Sequence, residues 1–275
     1  MKQRTWFITG ASKGLGMALV KKLLKDGEQV AATSRSATAF VALQQQYPDL
    51  LLALEVDLTL ADDVKLAIEQ TIAYFGRLDI AVNNAGYSLV GSMEEVSDKE
   101  FRDTIDVNLF GTANVIRSAM PYFRQQASGY FINISSNAGY IGFANAATYN
   151  AAKFAVVGLS EALAEETKAF GIKVTVVAPG QFRTNFMDSL QYAKNKIDVY
   201  KLAEAENMWK QYSGTQRGNP DKLVQILIDL ANNPKPPLHL LAGPDTYELV
   251  MAHRATEADE IATWKEVTLS TDFDK

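Results

Sequence analysis

The sequence predicts one doubly wound α/β domain, in which a seven-stranded parallel sheet carries helices on both faces. Short apolar runs rich in Val, Ile and Phe alternate with longer segments of helical period, and such runs are typical of parallel strands that are buried on both sides. The 275 residues show no internal repeat and no Pro/Ser-rich linker. At roughly 100 to 200 residues per domain, the simplest prediction is a single domain over residues 1–275.

Each element follows from this alternation, in chain order. Strands are predicted at 4–9, 29–33, 50–54, 78–82, 129–134, 173–178 and 238–241. Helices are predicted at 14–26, 38–46, 61–75, 98–126, 148–169, 220–231 and 244–265. Thr59 and Ser97 each precede an acidic residue by three positions, which indicates N-caps whose hydroxyls accept from free backbone N–H groups. Three glycines mark helix ends: Gly27, Gly76 and Gly171.

Two segments depart from the alternation. The stretch at about 181–218 follows the sixth strand and is rich in aromatic residues and Met. Long loops in compact domains are usually functional or mobile, so we expect this stretch to cover a substrate. The last segment, about 244–275, is expected to form a helical tail.

Composition excludes several classes of protein. Lys and Arg number 27 against 32 Asp and Glu, which gives a net charge of -5 without a long basic run, so nucleic acid is not an expected partner. The chain has no cysteine and two histidines, which leaves no thiolate chemistry and no basis for a metal site. No segment approaches the ~18 apolar residues of a membrane span. We expect a cytoplasmic protein that binds neither membranes nor metals.

A glycine-rich loop joins the first strand to the first helix. It reads Thr9-Gly10-Ala11-Ser12-Lys13-Gly14-Leu15-Gly16, and small residues there let the backbone and the positive end of a helix approach a pyrophosphate. The spacing G-x-x-x-G-x-G differs from G-x-G-x-x-G, and a plain turn is the alternative. The position between strand and helix favours a dinucleotide site.

A second motif follows the fifth strand. Tyr149 and Lys153 are four residues apart in a predicted helix, so both side chains project from one face, and Ser136 lies at the end of the strand, where open α/β sheets bind ligands. An ammonium beside a phenol favours its phenolate, and a hydroxyl can hold a substrate oxygen. Each residue alone has an ordinary structural alternative, as core aromatic, solvated lysine or turn serine.

Six features in order make the chain resemble the short-chain dehydrogenase/reductase family, whose fold is Rossmann-type. They are the glycine loop, Asp57 after the third strand, Asn83-Asn84-Ala85-Gly86 after the fourth, Asn108 in VNLFG, Ser136 with Tyr149-x-x-x-Lys153, and Pro179-Gly180 with Thr184. The similarity covers nearly the whole chain. The segment 181–275 also resembles bacterial oxidoreductases of that family whose substrates are mostly unassigned.

The resemblance implies a role for each matching residue. Tyr149 would be the general acid or base, Lys153 would lower its pKa and bind the nicotinamide ribose, and Ser136 rather than Ser135 would hold the substrate oxygen. Asn108 would keep a water in the proton relay through its main chain. The implied cofactor-binding residues are Gly10, Ser12, Lys13, Gly14, Leu15, Gly16, Arg35, Asp57, Leu58, Asn84, Ala85, Gly86, Tyr149, Lys153, Pro179, Gly180 and Thr184. An acidic helix cap remains the alternative for Asp57, and an ordinary polar helix residue for Asn108.

Cofactor choice depends on the end of the second strand. NAD-binding proteins place an acidic residue there and NADP-binding proteins place Arg, and this chain has Thr33-Ser34-Arg35-Ser36 with Lys13 in the phosphate loop. NADP(H) is therefore predicted, although two solvated surface cations remain the alternative.

The predicted function is hydride transfer between NADP(H) and a carbonyl or secondary alcohol. The aromatic, Met and other apolar side chains of the stretch 181–218 and of two neighbouring loops predict an apolar substrate, because Arg183 is the one cation near them. The alternative is that these side chains pack against one another in a small core of the loop itself. They are Phe182, Phe186, Met187, Leu190, Tyr192, Tyr200, Met208, Trp209 and Tyr212, with Tyr87, Leu89, Tyr140, Ile141 and Phe143. A cofactor-binding sensor or scaffold without turnover is the alternative function. An epimerase or dehydratase of an extended branch is disfavoured by the glycine spacing.

The resemblance also implies a homodimer or homotetramer. The two long helices predicted near 98–126 and 148–169 would pair between copies. Their apolar residues lie on more than one face, which favours such pairing but fits burial in the core equally.

Overall fold

The computed structural model describes residues 3–273, and these contain one seven-stranded parallel sheet with helices on both faces. The strands are β1 Thr5–Ile8, β2 Gln29–Ser34, β3 Leu51–Glu55, β4 Ile80–Asn83, β5 Leu89–Val90, β6 Gly129–Ile134, β7 Ile172–Pro179, β8 Gln191–Tyr192 and β9 His239–Ala242. The sheet order is β3-β2-β1-β4-β6-β7-β9, and β5 pairs with β8 separately. The predicted single-domain fold is confirmed, since all seven predicted strands lie in this sheet.

The helices follow the predicted segments, except that the predicted helices 98–126 and 244–265 each form two helices. The observed helices are α1 Gly14–Lys25, α2 Val41–Gln46, α3 Ala61–Phe75, α4 Asp98–Ile105, α5 Gly111–Gln126, α6 Ala147–Thr167, α7 Leu202–Tyr212, α8 Pro220–Asn232, α9 Pro244–Thr263 and α10 Lys265–Leu269. Of these, α7 lies in the stretch 181–218, for which no helix was predicted. The predicted helix 98–126 is α4 and α5 joined by a π-helical turn at Asp106–Phe110. Hydrophobic period does not distinguish a π turn from an α turn, so the sequence showed one helix.

The central strand shows how the core is built. Trp6, Phe7 and Ile8 of β1 are fully buried. Trp6 and Ile8 pack on one face of the sheet with apolar residues of α1 and α8, whereas Phe7 packs on the other face with residues of α3 and α5. Alternate side chains of a strand point to opposite faces, so a continuous apolar run supplies both layers.

A buried polar chain crosses the middle of the sheet. Asn83 on β4 donates from Nδ2 to Oδ1 of Asn133 on β6 at 2.8 Å, and Asn133 donates to the hydroxyl of Ser160 on α6 at 2.9 Å. Buried amides need such partners. The chain fixes α6 against the two strands whose ends border the candidate site.

One of the two predicted caps is wrong. Ser97 forms the predicted capping box of α4, accepting from the Glu100 N–H while the Glu100 carboxylate accepts from the Ser97 N–H. Thr59 caps no helix, because α3 has Leu60 at its N-cap without a side-chain bond. The Thr59 N–H and hydroxyl instead donate to Asp57. A carboxylate two residues upstream competes for the same groups that a helix start would use.

The stretch 181–218, predicted as a loop, contains regular secondary structure. It contains β8 and α7, and β8 pairs with β5 so that Leu89 lies opposite Gln191. Three carboxylates within residues 94–100 accept hydrogen bonds from the middle of this stretch and hold it against the rest of the domain. Glu95 accepts from the Ile197 N–H, Glu100 accepts from the Lys194 N–H, and Glu94 accepts from the Tyr200 hydroxyl.

Candidate active site

A cavity of about 750 Å³ opens at the carboxyl ends of the sheet strands. It lies where the strand order reverses, between β1 and β4, which is where doubly wound sheets bind ligands. Of the predicted site residues, all line this cavity except Gly16 and Asn108, which lie directly behind its wall. The predicted residues in the wall are Gly10, Ser12, Lys13, Gly14, Leu15, Arg35, Asp57, Leu58, Asn84, Ala85, Gly86, Ser136, Tyr149, Lys153, Pro179, Gly180 and Thr184.

The glycine loop has backbone geometry that other residues would not adopt. Gly10 has φ 62° and Gly14 has φ 56°, in the left-handed region that favours glycine. A Cβ on Gly16 would lie 2.6 Å from the Gly10 carbonyl oxygen. The loop therefore folds back on itself and leaves its backbone facing the cavity at the start of α1, where N–H groups attract anions.

Thr9 and Asn84 lock this loop to the end of β4. The Thr9 hydroxyl accepts from the N–H groups of Asn84 and Ala85, both at 3.0 Å. The Asn84 side chain donates to the carbonyl oxygens of Thr9 at 2.9 Å and Gly10 at 3.1 Å. The two loops on either side of the crevice are thus held as one rigid wall.

Two cations face the far end of the cavity. Lys13 and Arg35 line it and are exposed, and neither side chain is hydrogen-bonded or ion-paired to any residue among 3–273. Nearby, Asp57 accepts from the Thr59 hydroxyl at 2.7 Å and its N–H at 2.9 Å. These bonds, and to a lesser extent the charge of Arg35, lower the pKa of Asp57. Asp57 is thus held in place by Thr59, and Arg35 stays available for an anion.

Ser136, Tyr149 and Lys153 come together on one wall. Tyr149 lies beside Ser136, close enough for that hydroxyl to affect the pKa of the phenol, and the Lys153 ammonium lies 5.6 Å from the centre of the Tyr149 ring. Lys153 is 4% exposed and donates to the Ile134 carbonyl oxygen at 2.9 Å. The adjacent Ser135 hydroxyl instead donates to the Lys153 carbonyl oxygen at 3.0 Å. Ser136 is therefore the serine in contact with the tyrosine.

Burial perturbs both ionisable groups of this wall. Desolvation raises the pKa of Tyr149 to about 12, although the interaction with Ser136 opposes this rise. The pKa of Tyr149 is therefore raised, and not lowered by Lys153 as the family resemblance implied. Desolvation lowers the pKa of Lys153 to about 8. Burial disfavours the charged form of each group, so at neutral pH the tyrosine is protonated, whereas the lysine is still mostly charged and loses its proton as pH rises through about 8.

Asn108 lies in the π turn, behind Gly86. Its Nδ2 donates to the carbonyl oxygens of Tyr87 at 3.0 Å and Thr104 at 2.9 Å, whereas its Oδ1 is buried without a partner among the described residues. A Cβ on Gly86 would lie 2.4 Å from that Oδ1 and 3.4 Å from the Lys153 Nζ. The π turn thus brings an unpaired acceptor close to the lysine, and π turns are frequent at functional sites.

Two residues that the sequence analysis did not single out organise the site. Asn137 accepts from the Ser136 hydroxyl at 3.0 Å and orients it. Asp245, at the start of α9, accepts from the Gln181 N–H at 2.9 Å and packs against Gly180. Asp245 is far from Gly180 in sequence, so no local pattern could have identified it.

The predicted apolar lining is correct in part. The cavity wall includes Tyr87, Phe143, Phe182, Phe186, Met187, Leu190, Met208 and Trp209, together with Val90, Ala205 and Leu249. The other predicted residues do not line it, because their side chains have partners elsewhere. Tyr140 bonds His239, Tyr200 bonds Glu94 and Tyr212 bonds Gln181. Tyr192 packs in a small cluster with Val90, Ala193 and Leu202, as the alternative of a separate lid core anticipated. Leu89 and Ile141 also lie outside the wall.

The prediction for Arg183 is wrong. It does not line the cavity, since its Nε donates to the Gln216 carbonyl oxygen at 3.1 Å. Among the described lining residues, the cations are Lys13, Arg35 and Lys153. The end of the cavity that is lined by Phe186, Met208 and Trp209 therefore has no positive charge of its own.

The fold and the site define a dinucleotide-binding α/β protein, and comparisons identify its family. A family model described as short chain dehydrogenase matches residues 4–195. A short-chain dehydrogenase structure from Streptomyces avermitilis superposes with a TM-score of 0.92 at 33% identity, covering 99% of this chain and 100% of that one. The chain belongs to the short-chain dehydrogenase family of oxidoreductases.

Other relatives differ in cofactor and substrate. The 3-ketodihydrosphingosine reductase of Bacteroides thetaiotaomicron is 34% identical over 254 residues, 89% of each chain. The structure of ElxO with NADP bound has a TM-score of 0.73 at 28% identity, covering 88% of this chain and 97% of that one. A 3-ketoacyl-(acyl-carrier-protein) reductase from Brucella melitensis, complexed with NADH, has a TM-score of 0.72 at 26% identity, covering 86% of this chain and 96% of that one.

Proposed function

We propose that this oxidoreductase transfers hydride between NADP(H) and an apolar ketone, aldehyde or secondary alcohol. The observation that carries the proposal is the grouping of Ser136, Tyr149 and buried Lys153 on the wall of one cavity whose remaining lining is largely apolar. This arrangement offers a proton donor, an oxygen-binding hydroxyl and a positive charge at one point. The structure of ElxO with NADP bound and the similarity to a 3-ketodihydrosphingosine reductase give it further support.

The residues present fit a dinucleotide. The cradle of Gly10, Gly14 and Gly16 leaves backbone N–H groups free for a pyrophosphate, and Arg35 and Lys13 are unpaired within the described chain at the end where a 2′-phosphate would bind. Asp57, Leu58, Ala85 and Gly86 would contact the adenosine half, and Lys153, Pro179, Gly180 and Thr184 the nicotinamide half. When bound, the nicotinamide supplies or accepts the hydride at C4.

Residues of the protein itself donate the proton that the substrate oxygen receives and replace it afterwards. Without substrate the Ser136 hydroxyl donates to Asn137. When substrate binds, the same O–H turns to donate to the carbonyl oxygen, and Tyr149 donates its proton to that oxygen as it becomes an alkoxide. The Lys153 charge stabilises the resulting phenolate. Asn108 would hold the water from which Tyr149 is reprotonated, because its unpaired Oδ1 lies near the lysine.

The pKa values set an expected pH profile for carbonyl reduction. Tyr149 stays protonated up to about pH 12 and remains a donor, but Lys153 loses its charge as pH rises through its pKa of about 8. We expect kcat for reduction to fall above about pH 8. Lys153→Arg keeps the charge at all accessible pH values, so a folded variant with residual activity should lose this fall. The same fall in both proteins would exclude Lys153 as its source.

The apolar lining predicts how activity depends on substrate length. Each methylene that enters an apolar pocket contributes about 0.8 kcal/mol, which is about fourfold in kcat/KM. In a series of 2-alkanones, kcat/KM should rise about fourfold per methylene until the cavity is filled. Short sugar phosphates and 2-oxo acids should be poor substrates, and turnover confined to such charged compounds would contradict the assignment.

The experiment that tests the function is a panel of carbonyl compounds and alcohols with NADP(H) and NAD(H), followed by the absorbance of the reduced cofactor. Turnover with an apolar member supports an enzyme. Cofactor binding without any turnover would instead favour the sensor or scaffold alternative.

We also propose that residues 181–218 cover the substrate and that the protein is a homodimer or homotetramer. Phe186, Met187, Leu190, Met208 and Trp209 of that stretch line the cavity. For assembly, Phe110 in the π turn and Phe154 on α6 are exposed apolar side chains on the helix pair predicted to associate. Among residues 3–273, no helix is both long and apolar enough to cross a lipid bilayer.

A further inference from the structure

The C-terminal arm, residues 251–273, extends away from the rest of the chain. It continues α9, whose Val250 is fully buried, yet every residue from Met251 to Phe273 is exposed. The helix runs on through Trp264, which donates to the Glu260 carbonyl oxygen at 3.3 Å and accepts from the Thr268 N–H at 2.9 Å. At 1.5 Å per residue, the part from 251 to 269 is about 27 Å long.

Such an arm is not stable on its own. Isolated helices of this length are marginal in water, and helices in proteins gain most of their stability from packing an apolar face. The arm instead exposes large apolar side chains, with Ile261 at 64% and Trp264 at 60%. A surface of this kind marks a contact with another molecule.

The apolar residues of the arm continue a face that already packs. Ile261 and Trp264 follow Val250 by 11 and 14 residues, which brings them back to the same side of a helix with 3.6 residues per turn. Val250 packs on Tyr140, Val157, Val176 and Ala178. The side of α9 that covers its own subunit therefore continues past the edge of that subunit.

We propose that the arm docks on a second copy of this chain, with Ile261 and Trp264 as its anchors. With a helix diameter of about 10 Å, the arm covers on the order of 300 Å². In a two-fold dimer, two arms and the two surfaces that receive them together bury about 1,200 Å². This total reaches the lower end of the range for specific protein–protein interfaces. A single arm on a different protein would bury about half of that area.

The charge of the arm disfavours a membrane surface. Two cations, Arg254 and Lys265, stand against five acids, Glu257, Asp259, Glu260, Glu266 and Asp272. Interfacial helices on anionic lipid are rich in Lys and Arg instead. Charge therefore disfavours anionic lipid as the occupant, and the buried area favours a second copy of the chain.

The test is the molar mass of the full chain by light scattering after size exclusion, over a dilution series in the micromolar range. The native protein should exceed the 30.2 kDa monomer, and the double variant Ile261→Asp with Trp264→Asp should halve the native mass or raise the dissociation constant at least about 100-fold. The matched control, Ala252→Asp with Ala255→Asp, adds the same charge at two exposed positions on the opposite side of the arm and should keep the native mass. The milder Ile261→Ser with Trp264→Ser repeats the test if the charged variant misfolds.

A second measurement reports on Trp264 directly. Trp6 is buried and Trp209 lines the cavity, so the difference in acrylamide quenching between native protein and Trp264→Phe isolates Trp264. It should be protected in the native protein at high concentration and accessible after dilution. A monomeric native protein, an accessible Trp264 at high concentration, or Asp variants that keep the native mass at every dilution would overturn the proposal. None of these readouts uses turnover, so failure of the proposed reaction would leave the test intact.

Discussion

Tyr149→Phe should lower kcat by about 10²–10⁴-fold, the usual loss when a general acid or base is removed, while leaving the fold and the affinity for NADP(H) nearly unchanged. At 1.36 kcal/mol per factor of ten, this is about 2.7–5.4 kcal/mol in the barrier. The structure explains why kcat should fall while the fold and the affinity for NADP(H) are kept. The substitution removes one hydroxyl, and Ser136 keeps its bonds to Asn137 and to the Ala138 N–H. The ring also keeps its packing against Phe186.

The measurement is kcat for reduction of a ketone from the active panel, together with the dissociation constant of NADPH. Tyr140→Phe is the matched control. Tyr140 follows Ser136 by four residues, but its hydroxyl bonds His239 outside the cavity at 2.7 Å, so kcat should stay near the native value. Equal kcat in Tyr149→Phe and native protein would rule out Tyr149 as the proton donor.

The sequence predicted the sheet well because burial on both faces leaves a strong local signal. All seven predicted strands lie in the sheet, with ends within about two residues of those observed. The glycine loop was equally visible, since Gly10, Gly14 and Gly16 occupy positions where side chains would strain or collide. Features fixed by the local backbone are therefore readable without a structure.

Features fixed by distant partners were not readable. Arg183 and Tyr212 were placed beside the substrate from their order in the chain, but one donates to the Gln216 carbonyl oxygen and the other to the Gln181 side chain. The importance of Asp245 depends on a contact across 64 residues to the Gln181 N–H. Sequence order places a residue on a loop, whereas the direction of its side chain is decided by partners from other elements.

The preference for NADP(H) over NAD(H) is predicted from two charged side chains, Arg35 and Lys13. A 2′-phosphate bonded by Arg gains charge-assisted contacts of roughly 1.5–3 kcal/mol, and 1.4 kcal/mol is tenfold in affinity. Arg35 and Lys13 line the cavity, and no described residue pairs with either side chain. Asp57, the acid nearest to this end, is already bonded to Thr59. The native protein should therefore bind NADP(H) at least about tenfold more tightly than NAD(H).

Arg35→Asp should reverse this preference, because a carboxylate at position 35 repels the 2′-phosphate and accepts hydrogen bonds from the ribose hydroxyls of NAD(H). The ratio of the two dissociation constants should change by at least about 100-fold, and Lys13→Ala should change it less, since Lys binds phosphate as a point charge without a bidentate fork. Titrations of both cofactors measure the ratio. Arg124→Asp, an equal change of charge on an exposed residue of α5 outside the cavity, should leave it unchanged. If the native protein binds NAD(H) as tightly as NADP(H), neither cation recognises the phosphate, and the NADP(H) assignment is wrong.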